Sequence, residues 1–96
     1  MTVTIIGTVE YGRQEASKIG FNTLNIHGPV DIINKGIFYG VTTVENIVYR
    51  SVIYVGNNRT DGNNIYQCIE SHLIDIKNVD YYGELCKIQI IKKIRD

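Results

Sequence analysis

Gly36-Ile37-Phe38-Tyr39-Gly40-Val41-Thr42-Thr43-Val44-Glu45-Asn46-Ile47-Val48-Tyr49-Arg50-Ser51-Val52-Ile53-Tyr54-Val55 is the stretch on which the fold turns. Its β-branched and aromatic residues suit a pleated, half-buried surface and not a helix. Glu45-Asn46 interrupts the run and reads as a tight turn between a strand at Gly36–Val44 and another at Ile47–Val55. An antiparallel hairpin of this kind leaves edges exposed unless the sheet closes on itself, which favours a barrel.

The rest of the chain follows the same pattern. A first strand is predicted over about Thr2–Glu10 and a short second one near Phe21–Ile26. His27-Gly28-Pro29 ends the second, because proline cannot donate to a ladder. Asp31–Lys35 stays ambiguous. Gly56–Asn64 reads as a polar loop with a hairpin signal at Asp61-Gly62. A fifth strand is expected over Tyr66–Ile76 and a sixth over Glu84–Ile94. No segment reads as a helix. Short strands with many short connections give an all-β barrel or sandwich.

The 96 residues fit one domain, 1–96. The composition is globular, with 44% hydrophobic residues, and the apolar set is rich in Ile, Val and seven Tyr, with no Trp. Ten basic residues balance ten acidic ones, without a basic stripe. This speaks against nucleic acid or an anionic membrane as a partner. A nucleotide is not excluded, since backbone N–H groups and a metal supply positive field locally. The N-terminus has no basic region ahead of a long apolar one, and no run approaches a membrane span. A soluble, cytoplasmic protein is therefore expected. Cys68 and Cys86 form no C-x-x-C pair and read as small thiols within strands.

Three places could carry chemistry. In Gly20-Phe21-Asn22-Thr23-Leu24-Asn25, alternation puts Thr23 and Asn25 on one face and Asn22 with Leu24 on the other. A hydroxyl and an amide oxygen side by side suit a hard cation that already carries phosphate oxygens. The plain alternative is a polar pair on the wet side of an edge strand. In Ile69-Glu70-Ser71-His72-Leu73-Ile74-Asp75-Ile76, Glu70 and His72 share a face with Ile74 and Ile76. Glu70 is then either a costly buried carboxylate with a use, such as taking a proton from a substrate hydroxyl, or a residue facing water. The third place, Gly56-Asn57-Asn58-Arg59-Thr60-Asp61-Gly62, is rich in donors and either orders around a ligand or is a solvated hairpin tip.

Taken in order, these segments resemble the riboflavin kinase family. The shared features are Gly7-Thr8-Val9, Gly12, Lys18-Ile19-Gly20-Phe21-Asn22-Thr23-Leu24-Asn25, Gly36-Ile37-Phe38-Tyr39-Gly40-Val41, Val55-Gly56, Arg59-Thr60, Glu70-Ser71-His72, Asp75, Tyr82-Gly83 and Ile94-Arg95. The resemblance implies a six-stranded antiparallel Greek-key barrel that transfers the ATP γ-phosphate to riboflavin, giving FMN and ADP. It implies Thr23 and Asn25 as the holders of Mg²⁺ and the ATP phosphates, and Glu70 as the general base. Gly12 to Ile19, Lys18 among them, would form a flap over the phosphates, and Gly20 would bind the nucleotide with them. Gly56 and Arg59 would sit near the nucleotide.

The sequence departs from the family pattern at four places. Asn22 stands where the family has proline, and so does Arg59 before Thr60. Glu15-Ala16-Ser17-Lys18 replaces a Gly-Arg pair near the end of the flap. The family's C-terminal helix is expected to be lacking after Ile94-Arg95-Asp96, and no adenylyltransferase domain is expected before Met1. Three readings follow: a minimal riboflavin kinase, a barrel that binds flavin or nucleotide without turnover, and a structural barrel that oligomerises. The oligomeric state is left open.

Overall fold

The computed structural model describes residues 2–10, 22–76 and 79–96. Six strands form: β1 (Val3–Glu10), β2 (Thr23–Gly28), β3 (Gly36–Val44), β4 (Ile47–Asp61), β5 (Asn64–Leu73) and β6 (Leu85–Arg95). They pair antiparallel in the closed order β1-β2-β5-β4-β3-β6. The hairpin-linked strands β3, β4 and β5 make a meander, and β6 returns to lie beside β3, which is a Greek key.

The hairpin at Glu45-Asn46 is as read. Val44 pairs with Ile47, and Glu45 and Asn46 both take positive φ, 52° and 65°. Two left-handed residues match a two-residue turn to the right-handed twist of the strands. Alternation along β3 is regular, with Gly36, Phe38, Gly40, Thr42 and Val44 all buried. The core joins Ile5, Leu24, Ile26, Ile53, Ile69 and Leu73 with Ile88 from β6. At its centre lie three buried hydroxyls: the Thr42 oxygen is 2.8 Å from Ser51 Oγ and 2.6 Å from Ser71 Oγ. One hydroxyl from each strand of the meander satisfies its neighbours without water.

Three expectations change. Gly56–Asn64 is not a free loop: β4 runs on to Asp61, and the turn is confined to Gly62-Asn63. A break in register between Val55 and Asn58 lets the strand bend there and continue against β5. The fifth strand ends at Leu73, short of Ile76, where Ile74 and Asp75 turn. Asp75 takes φ 65°, and its carboxylate accepts a 2.6 Å bond from Arg50. The second strand begins at Thr23; Phe21 lies outside the described residues.

The connection from β2 to β3 is tied to the bulge of β4. Asn58 Nδ2 donates to Asp31 Oδ1 at 2.8 Å. Gln67, buried on β5, donates from Nε2 to the carbonyls of Ile33 (2.7 Å) and Gly56 (3.2 Å). Among the described residues, no helix is long and apolar enough to cross a membrane.

Candidate functional site

β2 alternates because Leu24, Ile26 and Gly28 turn inward against β5 and the core. A Cβ at Gly28 would press on Ile69 Cδ1, which would have to shift. Thr23, Asn25 and His27 therefore face outward. β5 alternates in the opposite sense, with Ile69, Ser71 and Leu73 buried and Glu70 and His72 exposed. The two strands pair so that Thr23 faces His72, Asn25 faces Glu70 and His27 faces Cys68. Directly opposed side chains on one face of a ladder stand about 5 Å apart at Cβ. Two segments some 45 residues apart are thereby joined into one polar ladder on the outside of the barrel.

This decides the question left open at Glu70. The carboxylate faces water and is not buried, and Ile74 and Ile76 lie past the end of the strand. Two clefts meet at Glu70. One, of about 260 Å³, is lined by Asn25, His27, Gly56, Arg59, Tyr66 and Glu70. The other, of about 280 Å³, is lined by Lys35, Gly36, Ile37, Tyr54, Glu70 and Asp96, and its walls are mostly apolar. Cys68 touches both. The carboxylate thus stands where two clefts adjoin, one of mixed lining and one mostly apolar.

Of the residues singled out in the sequence, Thr23, Asn25 and Glu70 are brought together on adjacent rungs. Gly56 and Arg59 come to the same cleft from β4, Arg59 as the partner of Tyr66. Gly12, Lys18 and Gly20 lie outside the described residues. Asn22 departs from the face expected for it. It precedes β2 instead of lying within it, and its amide Nδ2 is 3.2 Å from His72 Nε2, on the outer side.

Sequence reasoning passed over His27 and Tyr66, whose rings stack at 3.7 Å between centroids with 13° between planes. The alternation that selected Thr23 and Asn25 extends to His27 two residues on, but its partner ring comes from another strand. It also passed over Tyr49 and Tyr81, whose hydroxyls meet at 2.5 Å beside the hairpin. That hydrogen bond, with desolvation, pushes Tyr81 up to about 12. Both cysteines are free thiols; burial pushes Cys86 up to about 12, while Cys68 is half-buried at the clefts.

The donor set fits a hard cation shared with phosphate. Thr23 and Asn25 offer neutral oxygens on one outward face, and the Glu70 carboxylate stands directly opposite Asn25. Among the described residues Glu70 has no ion-pair partner that would neutralise it.

The family model for riboflavin kinase (flavokinase) matches residues 1–96, the whole chain. The chain belongs to the riboflavin kinase family. It is 33% identical over 96 residues to the RNA-binding riboflavin kinase RibR of Bacillus subtilis (strain 168). That alignment covers all of this chain and 41% of the relative, so the chain spans less than half of that protein. The barrel is similar to the crystal structure of a macrolide-efflux protein from Streptococcus pneumoniae, with a TM-score of 0.75. The likeness covers 97% of this chain and 31% of that one at 24% identity, and shows the fold alone. The fold class read from the sequence, a closed six-stranded antiparallel barrel, is the one found.

Proposed function

We propose that this riboflavin kinase domain phosphorylates the 5′-hydroxyl of riboflavin with ATP, releasing FMN and ADP. The observation that carries the reading is the position of Glu70, directly opposite Asn25 and at the junction of a cleft of mixed lining and a mostly apolar one. Phosphoryl transfer needs chiefly positioning and charge neutralisation, and few reactive side chains. A two-substrate transfer needs one acceptor of a proton where the two substrates meet.

In this reading the apolar cleft beside Ile37 and Tyr54 takes the flavin ring, which has large apolar faces. Thr23 and Asn25 hold the phosphates and a divalent cation, with Mg²⁺ the expected one. Bound there, the cation would offset the charge of the transferring phosphates. Gly56 and Arg59 border the phosphate side, and Arg59 supplies a guanidinium fork. Gly12, Lys18 and Gly20 complete the cover of the phosphates. Glu70 accepts the proton of the ribityl hydroxyl as its oxygen bonds to the γ-phosphorus and the bond to the β,γ-bridging oxygen breaks. The partners are flavin and adenine nucleotide. RNA binding, part of the Bacillus relative's name, is not carried over to a chain of balanced charge that spans 41% of it. A cytoplasmic location accords with this chemistry.

The test is FMN formation from riboflavin and Mg·ATP, resolved by chromatography. Glu70→Gln keeps the shape and removes the base, and is expected to lower turnover by about 10²–10⁴-fold. A second reading is a barrel that binds flavin or nucleotide without turnover. It is motivated by Asn22 and Arg59 standing in proline positions and by Ala16 in the flap. Binding of either ligand by folded wild type, with no FMN after long incubation, would select it.

A further inference from the structure

Asn22 makes three hydrogen-bond contacts, all to Leu73 and His72 of β5. Its backbone carbonyl accepts a 2.9 Å bond from the N–H of Leu73. Its side-chain Nδ2 donates to the carbonyl of the same Leu73 at 2.8 Å. Ladder pairing of β2 with β5 begins one residue later, at Thr23 and His72. Asn22 therefore adds a rung ahead of the ladder, with a side-chain amide in the place where a backbone N–H would donate. A proline there could offer only the carbonyl, since it has no N–H.

The Leu73 contact also fixes which end of the Asn22 amide is nitrogen, because a carbonyl accepts only from a donor. The same Nδ2 is 3.2 Å from His72 Nε2. An amide nitrogen donates, so Nε2 accepts and the ring proton sits on Nδ1. Nδ1 in turn is 3.4 Å from Thr23 Oγ1. The direction of the chain is thus set: Asn22 donates to His72, and His72 donates to Thr23. Thr23 keeps its own proton and a lone pair for an outward ligand.

We propose that Asn22 and His72 are positioning residues. They orient the Thr23 hydroxyl and clamp the start of β2, so that Thr23 and Asn25 present their oxygens together. The inference rests on the reading of Thr23 as a phosphate or metal holder. Neither Asn22 nor His72 touches the reacting atoms. Residues that orient a metal's ligands typically change affinity by about 10–100-fold when removed.

Two measurements test it, one without ligand. ¹⁵N shifts of the His72 ring report which nitrogen carries the proton; Nδ1–H is expected in the wild type, and its loss in Asn22→Ala. In parallel, calorimetry measures Mg·ATP and riboflavin affinity for wild type, Asn22→Ala, His72→Ala and the double variant, each checked for an unchanged melting profile. Asn22→Ala should weaken Mg·ATP by at least about tenfold and leave riboflavin within about twofold. The double variant should be no weaker than the worse single one, because both act through Thr23. A ring protonated on Nε2, an unchanged Mg·ATP affinity in folded Asn22→Ala, or an equal loss of both ligands would overturn the proposal. A wild type that binds no Mg·ATP while His72 carries its proton on Nδ1 would instead sink the kinase reading, leaving the hydrogen-bond chain as a strand clamp alone.

Discussion

Glu45 is a residue out of keeping with its place. It opens a two-residue turn with φ 52°, a region that costs an L-residue with an extended side chain about 1–2 kcal/mol. Asn tolerates it far better, and the following Asn46 already adopts it at 65°. Glu45→Asn should stabilise the domain by about 0.5–1 kcal/mol in urea unfolding. Cys86 and Tyr81 make a second prediction at this scale. Each has its folded pKa raised to about 12, Cys86 by burial and Tyr81 chiefly by the hydrogen bond with Tyr49. Their ordinary values are 9.0 and 10.0. Above those values the unfolded chain sheds protons that the folded chain keeps, so it binds fewer and stability falls as pH rises. Stability is expected to be level with respect to these two groups below pH 9 and to decline from there towards 12, read by denaturant midpoints across alkaline buffers. A thiol reagent at pH 8 should label Cys68 in the native protein and Cys86 only after unfolding.

At the scale of elements, the meander is joined from within by hydroxyls. Thr42 Oγ1 lies between Ser51 and Ser71, with all three fully buried. Thr42→Val keeps the volume but leaves two serine hydroxyls short of their shared partner. The expected cost is about 1–3 kcal/mol by chemical denaturation. Removing all three hydroxyls together should cost less than the sum of the single losses, because no orphan remains. The outer face of β5, with that of its neighbour β2, carries the ladder of Thr23, Asn25, Glu70 and His72. β5 thus serves both sides, with Ser71 in the core and Glu70 and His72 at the site. A slip of one residue in the pairing of β2 and β5 would bury Glu70 and expose Ser71, so the inner hydroxyls and the outer site depend on one register.

The whole molecule closes into a barrel from pairs distant in sequence. β1 pairs with β6, for instance, matching Val3 with Ile90. A topology ruled by such pairs should fold in milliseconds to seconds, measurable by stopped-flow dilution from urea, in contrast with the microseconds of helical bundles. Much of this architecture was legible in the chain. The β-branched and aromatic runs around Glu45-Asn46 and the punctuation at Pro29 and Gly62 define strands through local rules of propensity and chirality. The order of motifs gave the family. Thr23 and Asn25 could be paired because they lie two residues apart, within one strand. Other features belong to the tertiary structure. Glu70 could face the core or water with equal local sense, and only its pairing against Asn25 turned it outward. The extension of β4 through Gly56 and Arg59 needed β5 as a template, since a polar segment has no periodic signal of its own. Asn22 read as the loss of a stiff proline; its bonds to Leu73 and His72 exist only once β5 lies alongside. The sequence by itself determined what is local, the strands, their turns and the chemistry each side chain can offer. Closure of the barrel decided which of those side chains meet, because register between strands is a long-range quantity that short-range patterns do not carry.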